Sequence, residues 1–107
     1  MLANICSWSR MSGTSKNGKE YDFIVLHCSV PRDTIDTKKC RISGYPVEFR
    51  DVSIPASKWY DMTGLTSASC GDVGDFLSDH VGEAVELHYK ITTYNGVDRA
   101  FISKVEF

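Results

Sequence analysis

Apolar and polar side chains alternate along much of the chain with the two-residue period of β-strands. The alternation is clearest in residues 84–94, where one face of the predicted strand is apolar: Val85, Leu87, Tyr89 and Ile91. Asn95 and Gly96 follow, and this pair tolerates the positive φ angles of a type I′ turn. A further strand pattern over residues 98–107 therefore predicts that the chain closes with a β-hairpin.

Three more strand patterns come before this hairpin. Residues 2–11 and 20–31 flank a turn-rich segment around Asn17 and Gly18, which predicts a first β-hairpin with a basic tip. The third pattern covers residues 44–55 and ends at a proline, which cannot donate a hydrogen bond to a strand ladder. The sequence therefore predicts five strands in two hairpins and one separate segment.

One segment before the fourth strand changes to a helical period. Asp72 can cap its start, Gly82 follows its end, and the face at helical spacing consists of Val73, Phe76, Leu77 and His80. Residues 56–62 fit one further helical turn. Five strands with one short helix before the fourth is the element order of a five-stranded OB-type Greek-key barrel. We therefore predict an all-β barrel of this type as a single domain, residues 1–107, because this length supports one modest core.

Charge is unevenly distributed along the chain, although the formal net charge is only −2. Residues 1–60 have a balance of +3 and residues 61–107 a balance of −5. Six carboxylates and no lysine or arginine lie between Asp61 and Glu86. This asymmetry predicts a basic face and an acidic face, and the alternative is an ordinary solvated surface with scattered charges.

The sequence gives no indication of a metal site, a cofactor or a catalytic centre. None of the four cysteines belongs to a CxxC or CxxH pair, and no serine, histidine and acid arrangement can be assembled from the sequence order. Cys6 and Cys28 lie in strand patterns and are expected to behave as small hydrophobic residues. The start of the chain lacks a secretion signal, and no run of about 18 apolar residues is present. We therefore expect a cytoplasmic protein with reduced thiols that is not an enzyme and does not contact membranes.

The two predicted hairpin tips carry the side chains that bind single-stranded nucleic acids. In OB folds the loops between strands one and two and between strands four and five flank the face that binds oligonucleotides. The first tip holds Lys16, Lys19 and Tyr21, and the second holds Tyr94 and Arg99. Cations follow the phosphates and aromatic rings stack on the bases, each stacked base contributing about 1–3 kcal/mol.

At these residues the chain resembles the single-stranded DNA-binding proteins of filamentous bacteriophages, of the gene V protein type. The first hairpin shares the pattern S-G-x-S-basic-x-G-K-x-Y, which ends at Tyr21, and Cys28 follows seven residues later. The third strand shares Y-P-V, which begins at Tyr45, with a basic residue at Arg50. The last strand shares I-x-basic-aliphatic, which begins at Ile102. Two positions depart from the family pattern: Met11 replaces a basic residue, which Arg10 could supply, and Ser29 replaces an aromatic one.

The resemblance implies a homodimer that coats viral single-stranded DNA without strong sequence preference during phage replication in the bacterial cytoplasm. RNA remains open as a second partner. The hairpin tips and the resemblance together give nine candidate contact residues: Arg10, Lys16, Lys19, Tyr21, Tyr45, Arg50, Tyr94, Arg99 and Lys104.

Other aromatic and charged residues leave alternatives open. We assign Phe23 and Phe49 to the core, Trp59 and Tyr60 to the core or a dimer interface, and Trp8 to either the core or a stacking surface. The basic cluster of residues 38–41 is either a solvated loop or an extension of the phosphate track. The alternative function is a small β-barrel adaptor or regulatory protein that binds another protein through the acidic segment 61–86.

Overall fold

The computed structural model describes the whole chain, Met1–Phe107. Strand residues make up 55% of the chain and helical residues 19%, so the prediction of a mostly β fold is confirmed. None of the helices has the length and apolar character needed to cross a membrane. The elements follow in the order β1 Leu2–Thr14, β2 Glu20–Pro31, β3 Ile35–Asp36, β4 Arg41–Ile42, β5 Val47–Pro55, a 3₁₀ turn Ala56–Lys58, α1 Trp59–Thr63, α2 Ser67–Cys70, α3 Val73–His80, β6 Ala84–Tyr94 and β7 Val97–Glu106.

Five of the strands form one antiparallel sheet in the order β5-β2-β1-β6-β7, and β3 pairs with β4 as a separate ribbon. The edge strands β5 and β7 do not pair, so the sheet is not closed into a barrel, and the OB-type Greek-key arrangement stays a prediction. Two features accompany the open edge. Only Leu2–Asn4 of β1 pair with β6, and α1 contacts both edge strands.

The core lies between the helices and the sheet face that they cover, which we call the inner face. It contains 13 buried residues, among them Trp59 and Leu77 from the helices, at 1% and 0% exposure. The assignment of Trp59 to the core is therefore confirmed, whereas Tyr60 is 42% exposed. Phe49 is 75% exposed, and Phe23 is half-buried but lies outside the core cluster, so the assignment of both residues to the core is wrong. Val52, three residues along β5, faces the core, and a strand alternates between faces, so Phe49 lies on the opposite, outer face.

Two β-bulges modify this alternation. Cys6 is the extra residue in β1, where the register with β2 shifts between Ile5 and Ser7, and Ser103 is the extra residue in β7. The bulge leaves Cys6 exposed to solvent, whereas Cys28 is buried like a small hydrophobic residue. It also keeps Trp8 on the inner face, where its indole Nε1 donates to the Ser78 hydroxyl of α3 at 3.2 Å.

Local turn and cap chemistry agrees with the sequence. Asn95 and Gly96 have φ angles of +52° and +76°, which are the positive values that a type I′ turn requires. The Asp72 side chain accepts a hydrogen bond from the Asp75 amide at 3.0 Å and caps α3 as predicted. These contacts fix where the last helix begins and where the second hairpin turns.

The two hairpins extend beyond the packed core. The Cα radius of gyration is 16.8 Å, and the molecule measures 53 × 40 × 26 Å along its principal axes. A compact chain of this length has a radius of gyration of about 13 Å. The larger value agrees with two long hairpins whose far halves are largely exposed, and these halves carry most of the candidate residues.

Candidate nucleic-acid interface

Three of the predicted cations are exposed and have no carboxylate partner: Lys16, Lys19 and Arg99. The first two lie in the turn between β1 and β2, which short hydrogen bonds organise. The Ser15 amide donates to the Lys19 carbonyl at 2.7 Å, and the Gly18 amide donates to the Ser15 carbonyl at 3.0 Å. The first hairpin therefore presents two free ammonium groups on an ordered tip.

Two other predicted cations are held by carboxylates. The Arg10 guanidinium donates twice to Asp22, from Nε at 2.9 Å and from Nη2 at 2.7 Å. This pair raises the pKa of Arg10 and lowers the pKa of Asp22, chiefly through the hydrogen bonds. Lys104 lies 2.8 Å from a carboxylate oxygen of Glu106 and lowers the pKa of that group. A phosphate must compete with these carboxylates, so both cations are weaker candidates than the three unpaired ones.

Arg50 joins three parts of the fold. Its Nη1 donates to the Met1 sulfur at 3.4 Å, and its Nε lies 3.5 Å from a Glu48 carboxylate oxygen. The Tyr89 hydroxyl, as the largest cause, and Glu48 together raise the pKa of Arg50. The side chain is half-buried and already has several partners, which favours a structural contribution over a free phosphate contact.

The predicted aromatic residues differ in how they are supported. Tyr21 is 40% exposed and stacks on Phe23, with ring centroids 6.4 Å apart and an interplanar angle of 27°. Gly13 pairs with Tyr21 across the hairpin, and a Cβ at that position would lie 2.7 Å from the Tyr21 hydroxyl. The glycine therefore leaves room for the ring to lie across β1. Tyr45 and Tyr94 are each 76% exposed, so their rings are open to solvent.

The strand register shows which candidates share a face. Tyr94 pairs with Val97 and Thr92 pairs with Arg99, so Tyr94 and Arg99 are diagonal neighbours on one face of the second hairpin. Val85 and Leu87 face the core, so Tyr94 and Arg99 lie on the outer face. Tyr21 also lies on the outer face, but on the first hairpin, eight positions along β2 from Ser29, the partner of Phe49. At about 3.4 Å per residue this separation is about 27 Å. The structure thus divides the candidates among the two hairpins and the segment that leads into β5.

One hydrogen-bonded constellation could not be identified from the sequence. The Ser9 hydroxyl lies 3.0 Å from Nε2 of His27, and Nδ1 of His27 lies 2.7 Å from a carboxylate oxygen of Asp51. These residues come from β1, β2 and β5, and only the pairing of the three strands brings them together. The connectivity is that of a hydrolase triad, but neither of the two cavities in the structure is lined by any of the three residues. The chain of hydrogen bonds therefore connects three strands across an open sheet face.

The four cysteines are free thiols in two environments. Cys28 and Cys70 are buried, whereas Cys6 and Cys40 are exposed. Burial is the largest cause that raises the pKa of the Cys28 thiol to about 11, so this group is neutral at physiological pH. No group of three or more histidine, cysteine or acidic side chains is arranged to hold a metal ion.

A cavity of about 570 Å³ lies beside Tyr21, between the first hairpin and the turn that follows β5. Hydroxyl groups of Ser12 and Ser57 and the carboxylates of Glu20 and Asp22 contribute to its wall. The two carboxylates make it a poor site for phosphate. The first hairpin therefore offers its cations at the tip and not in this cavity.

Comparison of the chain with protein-family models, curated proteins and solved structures finds no match. Functional inference therefore depends on the residues of this chain and on their geometry.

Proposed function

We propose that this protein binds single-stranded DNA without strong sequence preference and coats it as a homodimer. The observation that carries the proposal is that each hairpin presents an exposed aromatic ring together with cations that have no carboxylate partner. These are Tyr21 with Lys16 and Lys19 on the first hairpin, and Tyr94 with Arg99 on the second. Rings that stack on any base and cations that follow the phosphates are the two parts of a sequence-tolerant single-strand site. Coating of viral DNA during phage replication in the bacterial cytoplasm is the biological setting that the resemblance adds.

The strand order supports an OB-type arrangement for this function. Three antiparallel strands, β1, β2 and β5, lie side by side, and the β3–β4 ribbon belongs to the connection between β2 and β5. The chain then returns through the helices, and β6 lies next to β1. A fourth strand that returns beside the first defines a Greek key, and OB barrels are commonly partly open. In such folds the face of the second and third strands, here β2 and β5, is the oligonucleotide-binding surface. Phe49 and the stacked Tyr21 and Phe23 lie on the outer side of these two strands.

The second hairpin supports the proposal of a homodimer. Ile91 is 72% exposed and Val97 is 55% exposed, and the register places them on opposite faces of the hairpin. A two-stranded hairpin without further packing is marginally stable in water. A second copy that covers one of these faces would bury this apolar surface. We expect sedimentation equilibrium at micromolar concentration to show a dimer, and a 12.0 kDa species across that range would contradict the assembly.

The test of the function is a titration of the intrinsic tryptophan and tyrosine fluorescence with oligo(dT) at several salt concentrations. We expect affinity to fall as salt increases, with a slope of about 0.7 per neutralised phosphate. Lys19→Ala should make that slope shallower by about this amount, because Lys19 is unpaired. Arg10→Ala is the matched control and should change the slope less, because Asp22 already neutralises Arg10. Binding without salt dependence, or no binding, would contradict the proposal.

An adaptor function remains the second candidate, and one observation favours it. Most of the acidic side chains of the segment 61–86 are exposed, and Asp75 and Asp79 lie on the solvent side of α3. A basic protein partner could bind this surface independently of the hairpins. Replacement of Asp75 and Asp79 by asparagine should leave oligo(dT) affinity close to that of the wild type if the hairpins bind the strand.

A further inference from the structure

The gap between the edge strands β5 and β7 contains a second cavity, of about 410 Å³. Residues from both edges and from the helical turn after β5 line it, and we call it the seam cavity. The residues that matter for its chemistry are Pro55, Lys58, Met62, Lys90, Phe101 and Ile102. Its volume lies within the range of about 300–1,000 Å³ that is typical of small-molecule sites.

The charge of the seam cavity is positive. Lys58 and Lys90 contribute to its wall from opposite sides of the gap, and no acidic residue lines it. Both lysines are exposed, and neither forms an ion pair with a carboxylate. This distinguishes the seam cavity from the cavity beside Tyr21, whose wall includes Glu20 and Asp22. Two unpaired ammonium groups on one cavity favour an anionic ligand.

The seam cavity also offers an aromatic surface. Phe101 is the cross-strand partner of Lys90 and is 46% exposed, although it is a large apolar side chain. Met62 and Ile102 line the same cavity and are half-buried against the core. An exposed phenyl ring beside apolar neighbours provides a platform for a flat ring, and the lysines provide the charge for a group attached to it.

We propose that the seam cavity is a nucleotide subsite, in which a base stacks on Phe101 while its phosphate lies between Lys58 and Lys90. This proposal rests on the proposed function, because the nucleotide is one unit of the bound single strand. The register supports continuity with the second hairpin. Phe101 and Arg99 are two residues apart on β7 and share one face with Tyr94. A strand bound by Tyr94 and Arg99 therefore continues along β7 into the gap that the open sheet leaves.

The first experiment compares three variants in oligo(dT) titrations. Phe101→Leu keeps an apolar side chain but removes the ring, and we expect it to lower affinity roughly five- to hundredfold. Lys58→Gln combined with Lys90→Gln should lower affinity and make the salt slope shallower by up to about 1.4, because two cations are removed. Lys58→Arg combined with Lys90→Arg keeps both charges and should retain the wild-type slope. Circular dichroism checks that each variant is folded.

A second experiment locates the contact directly. Oligo(dT) in which single thymidines are replaced by bromodeoxyuridine is photocrosslinked to the wild-type protein, and the modified peptide is identified by mass spectrometry. We expect crosslinks at Phe101 or Met62 in addition to those on the hairpin tips. Crosslinks confined to the tips would overturn the subsite.

The outcomes separate the two proposals. If the wild-type protein does not bind oligo(dT), both the proposed function and the subsite are overturned. If it binds, and the Phe101 and lysine variants bind equally well with the same salt slope, only the subsite is overturned. If the lysine variant loses affinity while Phe101→Leu does not, the seam cavity holds phosphate alone and the stacking part of the proposal is wrong.

Discussion

The two long hairpins are built from similar strand lengths but are supported very differently. The first, β1–β2, has β5 along one side, and its inner face contributes Ile5, Leu26 and Cys28 to the core. The second, β6–β7, pairs with β1 through Leu2–Asn4 and Ala84–Glu86 and through hydrogen bonds between Met1 and Leu87. Its near half contributes Val85, Leu87 and Val105 to the core. Beyond those pairs it exposes apolar side chains on both faces. The difference indicates that β5 supports the first hairpin as far as Phe23, whereas the far half of the second hairpin has no neighbouring strand and is exposed.

The largest expected effect is on the free energy of unfolding, and it is tested by replacing one apolar residue in each hairpin. Leu26→Ala removes a side chain with 0% exposure and should lower the free energy of unfolding by about 2–5 kcal/mol. Ile91→Ala removes a side chain with 72% exposure and should change it by no more than about 0.5 kcal/mol in the monomer. Urea unfolding followed by tryptophan fluorescence measures both values at a protein concentration below dimerisation. Equal losses for the two variants would contradict the contrast between the hairpins.

A smaller effect on stability is expected at alkaline pH, and it comes from one thiol in the first hairpin. Cys28 on β2 has its folded-state pKa raised from 9.0 to about 11, mainly by burial. The folded state therefore holds this proton longer than the unfolded state does, and the associated stability is present below pH 9 and is lost as the pH rises towards 11.

The matched variant for this effect is Cys28→Ala, which lacks the thiol. Its free energy of unfolding should be lower at neutral pH but should fall less steeply between pH 9 and pH 11 than that of the wild type. All other ionisable groups are the same in the two proteins, so only the difference between the two curves is informative. Parallel curves would show that burial does not raise the pKa of this thiol.

The smallest effect on stability is expected at the tip of the second hairpin. Tyr94 is 76% exposed, so Tyr94→Ala should change the free energy of unfolding by no more than about 0.5 kcal/mol. The same variant should bind oligo(dT) more weakly, and Tyr94→Phe should keep most of the affinity, because stacking uses the ring and not the hydroxyl. Thermal melting and the oligo(dT) titration are measured on both variants. An Ala variant that melts much earlier and binds normally would assign Tyr94 to packing.

Local chemistry explains which parts of the fold the sequence predicts. The alternation around Val85 and Leu87, the Asn95-Gly96 turn and the Asp72 cap all depend on neighbouring residues, and each is present in the structure. The open sheet was not predictable in this way. Whether β5 pairs with β7 depends on contacts between distant parts of the chain, such as those of α1 with both edge strands, and no local pattern in either strand encodes them.

The same limit applies to the candidate site. Exposure of Tyr94 follows from its position beside the turn. The sequence predicts Tyr45 in the third strand, but β5 begins only at Val47, and the partners of the arginines do not follow from sequence order either. Arg10 meets Asp22 because β1 and β2 pair in one register, and Arg50 meets Met1 because the chain start lies beside β5 and β6. The seam cavity could not be predicted from the sequence either, because Lys58 and Lys90 are far apart in the chain and only the fold brings them to one cavity.

The bulge at Cys6 gives β1 one residue more than its pairing with β2 requires. Deletion of Cys6 would leave Ile5 and Trp8 on the inner face, because regular alternation over the shortened strand places them there. Deletion of Ser9 would instead turn Trp8 away from α3, unless β1 changed its register with β2. One residue can therefore be deleted at this point of β1 without moving the inner-face side chains to the outer face. The loss would straighten the strand, because a bulge bends it, and so would re-aim the lysines at the hairpin tip while the core stayed the same. A variant that lacks Cys6 is therefore expected to keep the core and to change only the direction of the first hairpin tip.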